Sequence, residues 1–557
     1  MSPAVRRLVG GLGGAAAMIA AITVLSRLLG FARYLVQAHA FHGGGSIGGA
    51  YNTANMMPNI LFEAAAGGAL AGALVPLLAL PVSRGLRKDV DGIASAALGW
   101  TLLVLVPLGA VLAAASGFIA DVWPGDLDAA YRDLLRFFIL VFAIQIPLYG
   151  VAVLLYAVLQ AHKRFFWPAF APVLSSVVVI ATYAVYGALA AGERDDPAAV
   201  GSGPLSLLAW GTTLGVAAMC LPMFVPVHRL GVRLRPTLRF APGIGRRLRA
   251  LAFAGVGSVV AQQLATLVVL LVSPWKGDDG TFSLYLWSQQ VYLLPYAVLV
   301  VPLATSTFPR LAARAAAGRH VEFATMASVT TRAVVVSAGV GAAAVAAAAP
   351  AIADVFGTFG DDPETAAAMT PAITLLLPGL LGFAVMFHAS RALYALERGR
   401  LAITANVAGW GTAAVASVVL AALLVPDGHD STGTLVALAL ASSTGMLVGG
   451  IGALAGLHRA AGPEALRGLA RTVVVVVAGG AAGAALGRWV VDTIGSFVGG
   501  DVGSAIAAAV GGALVSVVVV AAGIGLLDRG TVTGFLRVER QPAPSSEPAA
   551  TVPDPTD

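Results

Sequence analysis

The sequence predicts an all-α polytopic membrane protein, with about fourteen transmembrane helices forming two six-helix lobes around a central cavity plus two C-terminal helices. Three observations carry this expectation. Hydrophobic side chains make up 58% of the 557 residues and charged ones only 11%, and the mean hydropathy is +0.86. That leaves too few polar groups to cover a soluble surface of this size. Apolar stretches near the ~20 residues a span requires recur along almost the whole chain, leaving no room for a soluble catalytic domain. The loops between them alternate in charge.

Taken in order, the apolar segments fall at 14–40, 50–82, 92–120, 134–160, 168–190, 205–227, 250–273, 282–309, 325–349, 366–396, 401–425, 434–457, 469–491 and 502–527. The first follows Arg6 and Arg7 and could pass for a signal peptide. No small-residue cleavage site follows it, so it is expected to remain as the first span. Every second loop is basic, from Arg84, Arg87 and Lys88 through Lys163 and Arg164 to seven arginines between 229 and 249 with no acid among them. Arg310, Arg314 and Arg319, then Arg398 and Arg400, then Arg459 and Arg467, then Arg529, Arg537 and Arg540 continue the series. The intervening loops carry Asp121, Asp126 and Asp128; Glu193, Asp195 and Asp196; Asp278 and Asp279; Asp361, Asp362 and Glu364; Asp427 and Asp430; and Asp501. A missed or surplus span would invert this alternation downstream, and it never inverts. The positive-inside rule then places both termini in the cytoplasm.

The same rule accounts for the net charge of +6. The basic residues sit in loops between spans, so nucleic acid is not an expected partner. Cys220 is the lone cysteine and reads as a small core residue, since one thiol makes neither an internal disulfide nor a metal cluster. The sequence holds no phosphate-binding loop of the G-x-x-x-x-G-K-[ST] type, no H-E-x-x-H and no G-x-S-x-G. ATP hydrolysis by the usual route and the common hydrolase chemistries are therefore not expected, and no cofactor is implied.

Ionisable and amide side chains inside spans are costly and mark places that face protein or a water-filled cavity. The first span holds Arg27 and Arg33, which point about 120° apart on an ideal helix, enough to line one wide cavity but not to form one clamp. In the second, Asn52, Asn55, Asn59 and Glu63 make a single helical stripe, with Pro58 expected to bend it. The eighth repeats the pattern with Tyr285, Gln289, Tyr292 and Tyr296, with Gln290 beside them and Pro295 at the centre. Span 7 adds Gln262 and Gln263. Span 10 carries His388 and Arg391, and the histidine reads as packed and hydrogen-bonded rather than as a ligand. Spans 1, 2, 7 and 8 are corresponding members of two parallel six-helix repeats, which points to a cavity between two lobes and to alternating access. The divisions are 1–240, 241–460, 461–537 for the added pair of helices, and a Pro/Ser/Ala-rich tail at 538–557 expected to be disordered.

Three stretches resemble the MurJ/MviN family, lipid II flippases of bacterial cell-wall synthesis within the multidrug/oligosaccharidyl-lipid/polysaccharide exporter superfamily. The first is Ser26-Arg27-Leu28-Leu29-Gly30-Phe31-Ala32-Arg33, followed by Ala50-Tyr51, Pro58-Asn59-Ile60-Leu61 and Leu74-Val75-Pro76-Leu77-Leu78. The second is Arg164-Phe165 with Pro168-Ala169-Phe170-Ala171-Pro172. The third is Leu294-Pro295, Phe308-Pro309-Arg310 and Arg391-Ala392-Leu393-Tyr394-Ala395-Leu396. The run from Pro58 to Glu63 resembles an actinobacterial branch. Better-studied members carry arginines where this chain has Phe62-Glu63 and near Gln290, and an acid where it has Gly49.

The resemblance implies a flippase carrying the undecaprenyl-pyrophosphate-linked precursor lipid II from the inner to the outer leaflet of the cytoplasmic membrane. It implies a cationic central cavity in which Arg27 and Arg33 face the diphosphate. Asn52, Asn55, Asn59, Glu63, Gln289 and Gln290 complete the expected substrate-binding set, and the last two helices would form a groove for the lipid tail. Drive by an ion gradient or membrane potential, contact with membrane lipids and association with cell-wall synthesis proteins belong to the same expectation. Two alternatives stand beside it: an exporter of another polyprenyl-linked glycan or of cationic drugs, and a cell-wall scaffold that no longer transports.

Overall fold

The structure is a computed structural model that describes residues 12–125, 127–190, 192, 196–197, 199–239, 244–498 and 502–531. Arg6, Arg7, Asp126, Glu193, Asp195, Asp501, Arg537, Arg540 and the tail 538–557 lie outside the described residues.

All fourteen expected segments are helical, and no strand occurs among the described residues. Helix α1 is Leu12–Ala40. Helix α2 runs from 46 to 83 and is interrupted by a π-helical turn at Glu63–Gly67. Then come α3 (Arg87–Ala114), α4 (Ala129–Ala161), α5 (Phe166–Leu189), α6 (Ser202–Arg229) and α7 (Ile244–Lys276). They are followed by α8 (Thr281–Ala316), α9 (His320–Gly360), α10 (Pro363–Ala395), α11 (Gly399–Leu424) and α12 (Ser431–Ala461). Helices α13 (Leu469–Val498) and α14 (Val502–Leu527) end the order. Twelve helices, corresponding to α3 to α14, are long and apolar enough to cross a membrane among the described residues. Helices α1 and α2 occupy the first two predicted spans.

Large apolar side chains cover the outside. Val111, Phe118, Leu189, Val415, Leu423, Trp489 and Val518 are all exposed, as a surface solvated by hydrocarbon permits and one solvated by water does not. With apolar side chains equally content in lipid, the helices are held together by close packing and polar contacts. Glycine supplies the closeness between α11 and α12, where Gly409 lies against the backbone of Gly445 and Gly449.

Packing follows the same order twice. In the first half α1 packs on α5, α5 on α6, α2 on α4 and α3 on α4. Six helices later α7 packs on α11, α11 on α12, α8 on α10 and α9 on α10. Helices α13 and α14 pack on each other and on α9. The matching members α2 and α8 share a further detail. Pro58 lies inside α2 five residues before its π turn, and Pro295 directly precedes a second π turn at Tyr296–Val300 in α8. Proline removes a backbone donor and crowds the preceding turn, and a π turn takes up one extra residue, which rotates the rest of the helix. The irregularity expected of α2 at Pro58 thus takes the form of a π turn, and α8 has one as well.

The two halves meet tightly at the end that carries the acidic loops. A Cβ at Gly280 would collide with the carbonyl of Gly44, one at Gly49 with the carbonyl of Asp279, and one at Gly360 with the backbone of Gly43. Backbone approaches this close admit only glycine. Ser46 Oγ donates to Asp279 Oδ2 across the same junction at 2.7 Å. Burial raises the Asp279 carboxyl above its ordinary range; the Ser46 hydroxyl opposes the shift, and Asp128 and Asp278 add to it.

Candidate functional site

Immediately inside that junction lies a buried polar network. Gln37 of α1, 1% exposed, donates from Nε2 to Asn52 Oδ1 at 2.9 Å and to the Tyr183 hydroxyl at 3.1 Å. Its Oε1 accepts from Trp287 Nε1 at 2.8 Å. Asn52 Nδ2 in turn donates to Ser283 Oγ at 2.9 Å. The Tyr51 hydroxyl pairs with Tyr183 and with Thr212 Oγ1, each at 2.9 Å. One amide therefore joins α1, α2 and α5 of the first half to α8 of the second.

Gln37→Leu strands the Trp287 N–H and the Asn52 carbonyl at a site where both residues are buried. The expected cost is about 2–3 kcal/mol. It should appear as a lower thermal midpoint of the detergent-solubilised protein. Asn55→Leu is the control, since Asn55 Oδ1 is buried with no partner among the described residues, and that midpoint should barely move.

Further along α1, Arg27 and Arg33 line a cavity of about 260 Å³. Gln290 and Ala297 of α8 face them, Pro172, Ser175 and Ser176 of α5 form another wall, and Met219 of α6 closes the side. The π turn begins at Tyr296, six residues after Gln290, and its Ala297 lines the cavity, so the irregular part of α8 borders it. Arg33 Nη2 donates to the Tyr34 hydroxyl at 3.1 Å, and its Nε is buried without a partner. Among the described residues no carboxylate pairs with Arg27 or Arg33, and the three ion pairs recorded are all near Arg314, Arg319 and Arg467. Two cations sharing a cavity with no acid suit a multivalent anion: guanidinium groups bind phosphate oxygens through charge-assisted, often bidentate hydrogen bonds.

The remaining predicted residues are dispersed. Asn52 is a tie between the halves rather than a cavity wall. Asn55 is half-buried, Asn59 is exposed and Glu63 is half-buried at the start of the π turn, and none of the three lines the Arg27–Arg33 cavity. Gln289 turns to the other side of α8, into a small crevice of about 40 Å³ with Thr266, Tyr285 and Ser442. His388 is packed, with Nε2 at 3.0 Å from Thr330 Oγ1. Sequence reasoning missed Gln37, Tyr183, Ser283 and Trp287. The available signal was Gln37 itself, a lone amide one turn beyond Arg33 in an apolar helix.

Residues 38–494 match the family model described as lipid II flippase MurJ. The chain belongs to the MurJ family. A Rhizobium meliloti (strain 1021) protein named as a probable lipid II flippase MurJ is 28% identical over 305 residues, 53% of this chain and 54% of that relative. The lipid II flippase MurJ of Burkholderia cenocepacia is 28% identical over 313 residues, 53% of this chain and 55% of that relative. The chain thus spans about half the length of the curated MurJ relatives it matches. In fold it is similar to a MurJ structure in an inward closed conformation, with a TM-score of 0.68 at 16% identity, covering 94% of this chain and 100% of that one. An inward-facing MATE-family multidrug transporter of the MOP superfamily gives 0.63 at 15% identity, covering 79% and 98%. The MurJ and MATE structures share the fold of this multi-pass membrane protein.

Proposed function

We propose that this MurJ-family chain is a flippase rather than an enzyme, moving lipid II from the inner to the outer leaflet of the cytoplasmic membrane by alternating access. The observation that carries the reading is the pair of arginines, Arg27 and Arg33, in one membrane-embedded cavity with no carboxylate partner. The diphosphate of a polyprenyl-linked sugar is an anion that such a cavity accommodates, and the same excess of positive charge disfavours a cationic drug. Residues 1–240 and 241–460 act as the two lobes, consistent with their repeated packing order, and both termini lie in the cytoplasm. The helices within 461–537 border the path of the lipid tail.

In this reading the acidic end faces outward and is shut. The chain is poised to receive cargo from the cytoplasmic side. Asn55, Asn59 and Glu63 lie along α2 and would join the cavity wall as the halves part. Glu63 is the acid available there for coupling to an ion gradient or membrane potential.

The direct test is reconstitution. Proteoliposomes holding the full chain and fluorescent lipid II should let label in the inner leaflet become accessible to an external quencher faster than protein-free vesicles do. Equal rates would sink the proposal. In cells, depletion should leave lipid II out of reach of an externally added toxin that cleaves it.

A further inference from the structure

We propose that Arg391 of α10 and Tyr296 of α8 form a second anion-binding subsite, through which the second half of the chain holds the same diphosphate that Arg27 and Arg33 hold from the first. The inference rests on the cargo reading above and adds to it a contact from the opposite side.

Arg391 lies one turn from the end of α10, where a long cationic side chain would ordinarily extend toward the membrane surface. It does the reverse. Its guanidinium lies 3.5 Å from the ring centroid of Phe387, one turn back toward the membrane interior. Its polar contact with protein is a long one, Nη1 to the Phe387 carbonyl at 3.5 Å, and among the described residues no carboxylate pairs with it. A half-buried cation with its donors unspent requires water or an anion.

The neighbouring rings explain the posture. Tyr296 opens the π turn of α8, with its ring 4.6 Å from Phe383 and 5.3 Å from Phe387. Trp410 backs Phe383 at 6.2 Å. This shelf supports the flat guanidinium through its π faces, leaving the N–H edge free to reach oxygen. Tyr296 packs on the α10 rings that carry Arg391, while the next residue, Ala297, borders the Arg27–Arg33 cavity. Gln290 and Ala297 on the same helix face the Arg27–Arg33 cavity. The Arg391 shelf and the cavity arginines thus border one stretch of α8, and an anion bridging them would draw the halves together.

The test measures binding to the purified full chain in nanodiscs, with undecaprenyl diphosphate, undecaprenyl monophosphate and phosphatidylglycerol as separate probes. Arg391→Met keeps a flexible stem packed on Phe387 and removes the charge. It should weaken undecaprenyl diphosphate binding about tenfold, with Arg391→Lys keeping much of the affinity. Monophosphate binding should fall less, and phosphatidylglycerol binding should not change. Pairing Arg391→Met with Arg27→Ala should give a loss that departs from the product of the two single losses, because both grip one ligand. If Arg391→Met binds the diphosphate lipid like wild type while Arg27→Ala does not, the subsite is overturned and the cargo reading survives. A loss confined to phosphatidylglycerol would make Arg391 a bilayer anchor and also overturn it. If wild type fails to bind undecaprenyl diphosphate, the cargo reading itself falls.

Discussion

Arg27→Ala combined with Arg33→Ala is expected to abolish lipid II transport in proteoliposomes while the protein still folds. Each guanidinium that engages the diphosphate contributes about 1.5–3 kcal/mol as a charge-assisted hydrogen bond, so losing both weakens binding by roughly two to four orders of magnitude. Folding should survive. Arg27 has no hydrogen-bond or ion-pair partner among the described residues, and Arg33 makes a single side-chain bond, to its neighbour Tyr34. Removing two unpaired charges from a membrane interior relieves a desolvation cost rather than adding one. The double lysine variant separates charge from shape: it keeps the field of the cavity and loses the planar fork, so transport should fall only in part. Undiminished transport by the double alanine variant would show that the diphosphate is held elsewhere.

Locking the acidic end should stop transport just as completely, and reversibly. Ser46 and Asp279 already touch across the junction, and Cys220 is the lone native cysteine and is buried. In a Cys220→Ser background, Ser46→Cys with Asp279→Cys should form a disulfide under oxidation. Flipping should cease and return on reduction, because alternating access requires these surfaces to separate. The opposite intervention is Gly280→Ala, whose added methyl would collide with the Gly44 carbonyl. It should drive the junction apart and raise labelling of a cysteine at Ser46 by a membrane-impermeant reagent. Transport that continues through the oxidised crosslink would mean that the acidic end never opens.

The gross architecture was legible because it rests on solvent. Hydropathy requires about twenty apolar residues per span, and the alternating loop charges test the count independently, so even α2, broken by its π turn, was placed correctly. Pro58 indicated that α2 departs from regularity, though not that it would take up an extra residue. The site was less legible. The stripe from Asn52 to Glu63 reads as one surface because periodicity reports a direction around the helix axis. It does not report what stands opposite at each height, and opposite Asn52 stand Gln37 and Ser283. Gln37 escaped because one amide has no period, and its partner Trp287 is 250 positions away in the chain.

One consequence follows from where Gln37 sits. It is four residues beyond Arg33 and ten beyond Arg27 on the same unbroken helix, α1, a rise of about 15 Å along the axis. The cationic cavity and the tie between the halves are therefore mounted on one shaft. A displacement of α1 as a diphosphate draws in its arginines is delivered at once to the three hydrogen bonds of Gln37. Cargo could in this way loosen the far latch without a relay of intermediate side chains, and an empty carrier would keep it fastened.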